Sequence, residues 1–264
     1  MLTVVKNQIK VSFYSFKYSL MREMINKTTF LSNIIFMILN DATLIIQWLV
    51  LFSLVDEVGG YGMREVLIMW GLTANIYGIS RLFFKSAYNL SNTINTGKLD
   101  AYLVQPKNVL ISYITSSVSV SAIGDIIFGY IMLFLFGFSF SNLLIFSLLS
   151  IVGATIDVSI SIIYGSLAFW LSRSDRVAST ANDMIIYFSN YPEGIFSNFI
   201  KVILYSIIPV GIMIYMPVRI IAQGKTLLII FSLISAVLFC WLANKIFQRG
   251  LRHYSSSSLM ISRI

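Results

Sequence analysis

Long apolar runs separated by short polar breaks dominate the chain. They lie at roughly 30–55, 64–84, 108–138, 143–171 and 226–247. Each can form a helix of about 20 or more mostly apolar residues, enough to cross a bilayer core. The breaks carry turn chemistry. Asp56-Glu57-Val58-Gly59-Gly60-Tyr61-Gly62 separates the first two runs, and Phe138-Ser139-Phe140-Ser141-Asn142 separates the third from the fourth. Residues 177–225 are less regular. Pro192, Pro209 and Pro217 interrupt an otherwise apolar stretch, and each proline removes a backbone donor and crowds the preceding turn. The pattern predicts a fifth span over about 178–196. Short helices over 197–222 then dip into the membrane and return, which is tolerated where protein or water covers the broken backbone. At the other end, Ile9, Phe13, Phe16 and Leu20 form one apolar stripe along residues 5–27, flanked by Lys6, Lys10 and Lys17. This reads as an amphipathic helix lying in the membrane interface. The expected fold is all-α and polytopic. It has about six transmembrane helices, an N-terminal interfacial helix and short re-entrant helices before the last span. Residues 1–264 are read as one membrane domain.

Composition supports a membrane setting. The 264 residues are 57% hydrophobic and 11% charged, against roughly 25% charged in soluble domains. The net charge of +8 would suggest nucleic acid in a soluble protein. Here the basic residues sit at span ends and instead report orientation and attraction to anionic lipid. Of 19 Lys and Arg, all but Arg64, Lys201, Arg219 and Lys225 fall on the side that carries both termini and residues 85–107. The expectation is a multi-pass protein of the cell membrane with both termini cytoplasmic. The single cysteine, Cys240, excludes an intrachain disulfide, and no Cys/His cluster offers a metal site.

The polar loop at 85–107 stands out. Leu90 and Ile94 suit a short helix that Gly97 can end. In the segment that follows, Leu99, Tyr102 and Leu103 have the i, i+3, i+4 spacing of one helical face, and Pro106 stops it. A short amphipathic helix on a cytoplasmic loop can dock into a partner's groove. It can equally be a solvated connector on the headgroups. The chain offers no phosphate-cradling loop of its own. Gly224-Lys225-Thr226 would need a glycine at 219, where Arg219 stands.

Gly97-Lys98-Leu99-Asp100-Ala101-Tyr102-Leu103-Val104-Gln105-Pro106 resembles the loop after the second span of ABC-2-type permeases, where a glycine, an acidic residue, leucines and a proline recur. Tyr191-Pro192, Ile208-Pro209 and Met216-Pro217 resemble that family's extracellular re-entrant region. Gly124-Asp125 and Gly129 resemble a subfamily of paired, uncharacterised permeases. The resemblance implies a permease dimer, from identical or paralogous chains, served by a separate cytoplasmic ATPase that binds the ATP and magnesium. This chain itself would hold no cofactor or metal, do no covalent chemistry and export a substrate. Gly97, Lys98, Leu99, Asp100, Tyr102, Leu103 and Pro106 would couple to the ATPase, and Pro192, Pro209 and Pro217 would form the outer gate. The chain departs from the commoner loop pattern in having Lys98-Leu99-Asp100 after the glycine.

Acidic residues inside spans are costly and point to function or to interhelical hydrogen bonding. Asp41, Asp125, Asp157 and Asp183 lie within predicted spans. In the family the first, second and fifth spans line the path between permeases, which singles out Asp41, Asn75 and Asp183. The alternative reading is a proton-coupled secondary transporter using these aspartates as a relay. No internal repeat of the kind such transporters carry is evident. No spacing of titratable residues builds a catalytic site, so no catalytic residue is expected.

Overall fold

A computed structural model describes residues 2–171, 174–224 and 227–254. Arg173, Lys225 and Arg263, which contribute to the charge asymmetry, lie outside the described residues, as does the Ser-rich tail. The protein is an all-α polytopic membrane protein. Helix α1 (Leu2–Glu23) precedes α2 (Lys27–Phe52), which Asn26 caps by accepting from Thr29 N–H at 3.1 Å. A minimal hairpin follows, with β1 (Glu57–Val58) pairing β2 (Tyr61–Gly62). Its two turn residues, Gly59 and Gly60, both have positive φ, +59° and +75°. A two-residue turn of that hand matches the strand twist and favours glycine at both positions.

Helix α3 (Met63–Phe84) is the centre of the molecule, buried on nearly every side. Residues 85–107 supply a 3₁₀ turn, α4 (Leu90–Asn95) and α5 (Asp100–Leu103). Then come α6 (Val109–Ile114), α7 (Ala122–Phe136) and α8 (Phe140–Ser166), the last capped by Ser139. The remainder is α9 (Asp175–Ser189), α10 (Asn198–Ser206), α11 (Met216–Gln223) and α12 (Leu227–Leu251).

Among the described residues, four helical segments are long and apolar enough to cross a membrane: Lys27–Phe52, Met63–Asn95, Phe140–Phe169 and Leu227–Leu251. A fifth crossing arises if α10 and the segment Gly211–Gln223, bent by 85°, count as one. Helices α2 and α12 expose rows of apolar side chains, among them Ile35, Phe36, Leu39, Ile234, Val237 and Leu238. Rows of this kind face lipid or a second membrane chain.

Three sequence expectations change in detail. The run 108–138 is not one helix, because residues 115–121 are non-helical. This stretch is rich in serine, whose hydroxyl offers the backbone and its neighbours other hydrogen bonds. Ser116 and Ser117 both bond to Ser86 Oγ, and Ser119 N–H donates to the Arg81 carbonyl at 3.2 Å. Ser117 and Ser121, spaced four apart as small residues of a helix-packing face would be, therefore do not form one. The fifth span expected over about 178–196 forms α9, only 15 residues long. At 1.5 Å per residue it falls short of a core of about 30 Å. Finally, Pro217 does not break its helix. It stands in the first turn of α11, preceded by a π-helical stretch over Gly211–Tyr215. Such a stretch locally re-routes the backbone bonds that a proline would orphan.

The close packing is made by small residues elsewhere. Helices α3 and α7 run so near each other that a Cβ on Gly129 would lie 2.5 Å from the Gly71 carbonyl oxygen. One on Gly78 would lie 2.9 Å from the Ala122 carbonyl oxygen. In lipid, where no hydrophobic effect pulls helices together, such backbone approach is what holds a pair.

Candidate functional site

The loop at 85–107 is built inward from an apolar anchor. Leu90 and Ile94 on α4, together with Leu99, are buried with Leu110, Tyr113, Val158, Ile162, Ala243 and Phe247. Polar clasps surround this cluster. Thr93 Oγ1 and the Tyr113 hydroxyl lie 2.8 Å apart, Ser91 and Ser174 hydroxyls 3.0 Å apart, and the Asn95 amide donates to Asp175 at 3.1 Å. The Tyr254 hydroxyl, just past α12, donates to Asp100 at 2.8 Å. Burial, reinforced by the Asp100 carboxylate, pushes this phenol well above its ordinary range, so it stays a donor. The loop is thus fastened to α6, α8, α9 and the end of α12.

Its outward tip is different. Leu103 is half exposed, Val104 is 84% exposed, and Gln105 and Pro106 are exposed beside Lys98. Tyr102 is half-buried, edge-on to the Tyr113 ring at 5.4 Å. Leu99 does not share that tip. It is fully buried and faces the protein's own core. Gly97, at φ +71°, turns the chain, and α5 begins only at Asp100. The helical spacing that grouped Leu99 with Tyr102 and Leu103 therefore does not hold.

Immediately above the loop lies a buried polar knot. Asp157 Oδ2 on α8 accepts from Ser80 on α3 at 2.8 Å and from the Tyr88 hydroxyl. The Arg81 guanidinium sits over the Tyr77 and Tyr88 rings at 5.2 and 5.5 Å. The Tyr77 hydroxyl reaches Ser189 on α9 at 3.0 Å. The loop's first turn, through Tyr88, is thereby tied to α3 and α8.

The residues expected along a transport path do not form one group. Asp41 on α2 is buried against Asp125 on α7, the two carboxyl groups within hydrogen-bonding reach. Asn75 on α3 is fully buried beside the Gly129 backbone, its amide without a hydrogen-bond partner among the described residues. Asp183 stands apart, exposed on α9.

On the opposite side of the bundle, the hairpin docks on the turn after α9. Gly194 packs so tightly on Gly59 that a Cβ there would lie 1.7 Å from the Gly59 carbonyl oxygen. Glu193, almost fully buried, pairs with Arg219 on α11 at 2.5 Å. Together with Tyr61, Glu65 and Lys201 the pair lines a polar cavity of about 350 Å³. Pro192 precedes this turn, Pro209 sits at the bend after α10, and Pro217 starts α11. Sequence reasoning overlooked Glu193. A signal existed, since Glu193 is the only acidic residue after Asp183 and is followed by Lys201 and Arg219. Replacing Arg219 with Met leaves the Glu193 charge buried and unpaired. We expect a loss of about 2 kcal/mol, less than the ~3–5 kcal/mol of a fully buried pair because Arg219 is 40% exposed. The melting temperature of the purified protein reads this loss, and Glu193→Gln in the same chain should restore much of it. A single variant as stable as the wild type would show that the pair does not hold the hairpin.

Comparison with known proteins gives one family. Residues 11–258 match the family described as ABC-2 family transporter protein, and the chain belongs to that family. No curated protein and no solved structure matches. The protein is thus the membrane-embedded permease of an ABC transporter, a transport component whose family implies an ABC ATPase partner.

Proposed function

We propose that this chain is the path-forming subunit of an ATP-driven exporter of the cell membrane. It works as a dimer with a second permease, identical or paralogous. A separate cytoplasmic ATPase binds the ATP and magnesium. The loop at 85–107 carries the reading. Its inner side is locked to α6, α8 and the end of α12 by Leu99 and the Tyr254–Asp100 bond, and its outer side presents Leu103, Val104 and Pro106. A push at that tip reaches the membrane helices through Tyr88 and Asp157. Gly97, Lys98, Asp100 and Tyr102 shape the tip, while Leu99 anchors it. Asp41, Asn75 and Asp183 are assigned to the path, and Pro192, Pro209 and Pro217 to the outer gate that the Glu193–Arg219 pair closes. Membership of the ABC-2 family favours this reading over proton-coupled carriage.

Leu103→Glu and Val104→Glu test it. Both side chains are exposed, so the variants should keep normal abundance and melting temperature. A charge forced into an apolar docking groove costs at least about 2–3 kcal/mol, or roughly 100-fold in affinity. The ATPase should therefore fail to co-purify, and transport should stop. Retention of the ATPase and of full transport by both variants would make 85–107 a connector only.

The topology has its own check. With Cys240 replaced by Ser, a cysteine at Glu57 should react with an impermeant maleimide on intact cells. One at Val104 should react only after lysis. The reverse pattern would put the docking tip on the wrong side.

A further inference from the structure

A groove of about 610 Å³ runs between α1 and the ends of α3 and α6. Its walls are Ile9, Phe13 and Phe16 on α1, Phe83 and Phe84 at the end of α3, and Ile111 on α6. Two polar anchors hold α1 in place and set the width of the groove. Gln8 donates to Ser112 Oγ at 3.2 Å and accepts from Asn108 N–H at 3.0 Å. About three turns further on, Ser19 Oγ donates to the Ser116 carbonyl at 3.0 Å. Phe16 stacks on Phe83 at 5.0 Å and forms the floor between the anchors. Ile9 and Phe13 remain 65% and 61% exposed, which leaves the groove open along one side.

Charge decides what fits. At 100° per residue, Gln8 and Ser19 define the inner face of α1, and Ile9, Phe13 and Phe16 the groove face. Lys6, Lys10 and Lys17 follow next around the helix as one exposed stripe beside Phe13. The one acidic residue of α1, Glu23, lies at its far end next to Arg22. An apolar slot bordered by a cationic stripe, on a helix placed at the membrane surface, matches a molecule with a hydrocarbon tail and an anionic head. A peptide strand fits poorly, because the lining offers apolar side chains rather than an open backbone edge.

We propose that this groove binds an anionic phospholipid, with an acyl chain between α1, Phe83 and Ile111 and the phosphate at Lys6, Lys10 and Lys17. The inference rests on the membrane setting of the chain and not on coupling to an ATPase, so failure of the docking experiment leaves it standing. A bound lipid would fasten α1 to α3 and α6, just ahead of the turn that carries Tyr88.

The test uses the intact transporter in phosphatidylcholine nanodiscs containing a minor fraction of phosphatidylglycerol with a diazirine on one acyl chain. After irradiation, adducts are mapped by peptide mass spectrometry. They should concentrate on residues 8–16, 83–84 and 108–115, at least about fivefold above the exposed apolar row of α12. Ile9→Trp, at an exposed position, and Ile111→Trp should each fill the groove and abolish that excess while α12 labelling stays constant. Lys6→Gln, Lys10→Gln and Lys17→Gln together should remove the preference over a phosphatidylcholine probe of the same chain. Should Ile111→Trp fail to fold, Ile9→Trp decides the matter. Groove labelling no higher than that of α12 would overturn the proposal. So would equal labelling by the phosphatidylcholine probe in the wild type, or labelling that appears only after the ATPase is stripped away, which would make the groove a protein contact.

Discussion

Gly129→Ala should destabilise this permease far more than its single added methyl suggests. The new Cβ would lie 2.5 Å from the Gly71 carbonyl oxygen and 2.8 Å from Asn75 Cβ. The first is backbone of the facing helix and cannot rotate away. Helices α3 and α7 must separate, and with them go the contacts of Leu67, Ala74, Phe128 and Met132 along the same seam. Overpacking of a well-filled core costs typically about 1–3 kcal/mol, and a rigid backbone neighbour puts this site at the upper end. Gly129→Leu should prevent a monodisperse product altogether. Gly137→Ala is the control. Its Cβ would meet the tip of the Ile68 side chain at 3.0 Å, a group that can shift. Melting temperature and monodisperse yield after detergent extraction check this. Similar melting temperatures for the two Ala variants would mean that the α3–α7 contact is looser than described.

That contact also shows how far the sequence could be read. Gly124, Asp125 and Gly129 were noticeable as motifs, but which helix they face depends on a pairing that apolar periodicity does not encode. The spans α2, α3, α8 and α12 were legible because length and hydropathy alone define them. The break at 115–121 was not. Its serines are compatible with a lipid-facing helix, and only their bonds to Ser86 and the Arg81 carbonyl show the chain leaving helical form. Pro217 was read too strongly, because proline is tolerated in a first helical turn and the π-helical stretch before it absorbs the mismatch. Glu193 was missed because its partner lies 26 residues away across the Pro209 bend. The path residues illustrate the same limit. Asp41 meets Asp125 on α7, a pairing that spacing within either run does not encode, whereas Asp183 faces outward from a helix too short and polar to be an ordinary span.

Variants at Leu99 and Val104 should separate folding from the proposed docking within one loop. The spacing argument treated Leu99 as part of a partner-facing surface, which would make Leu99→Glu harmless to the isolated permease. The structure reverses this. Leu99 is fully buried with Leu90, Tyr113, Val158 and Phe247. A glutamate there loses the apolar burial, about 2–5 kcal/mol on the scale of Leu→Ala changes, and adds a buried unpaired charge. We expect Leu99→Glu to collapse expression, or to yield a permease whose 85–107 loop is readily cut by protease. Leu99→Ala should lower the melting temperature by several degrees yet still bind the ATPase once folded. Val104→Glu, five residues on and 84% exposed, should do the opposite, with full stability and no ATPase bound. Measuring abundance, protease resistance and co-purification across the three variants separates the two roles. A stable Leu99→Glu chain that merely loses its ATPase would restore Leu99 to the docking surface and contradict the anchoring role of the loop's inner face.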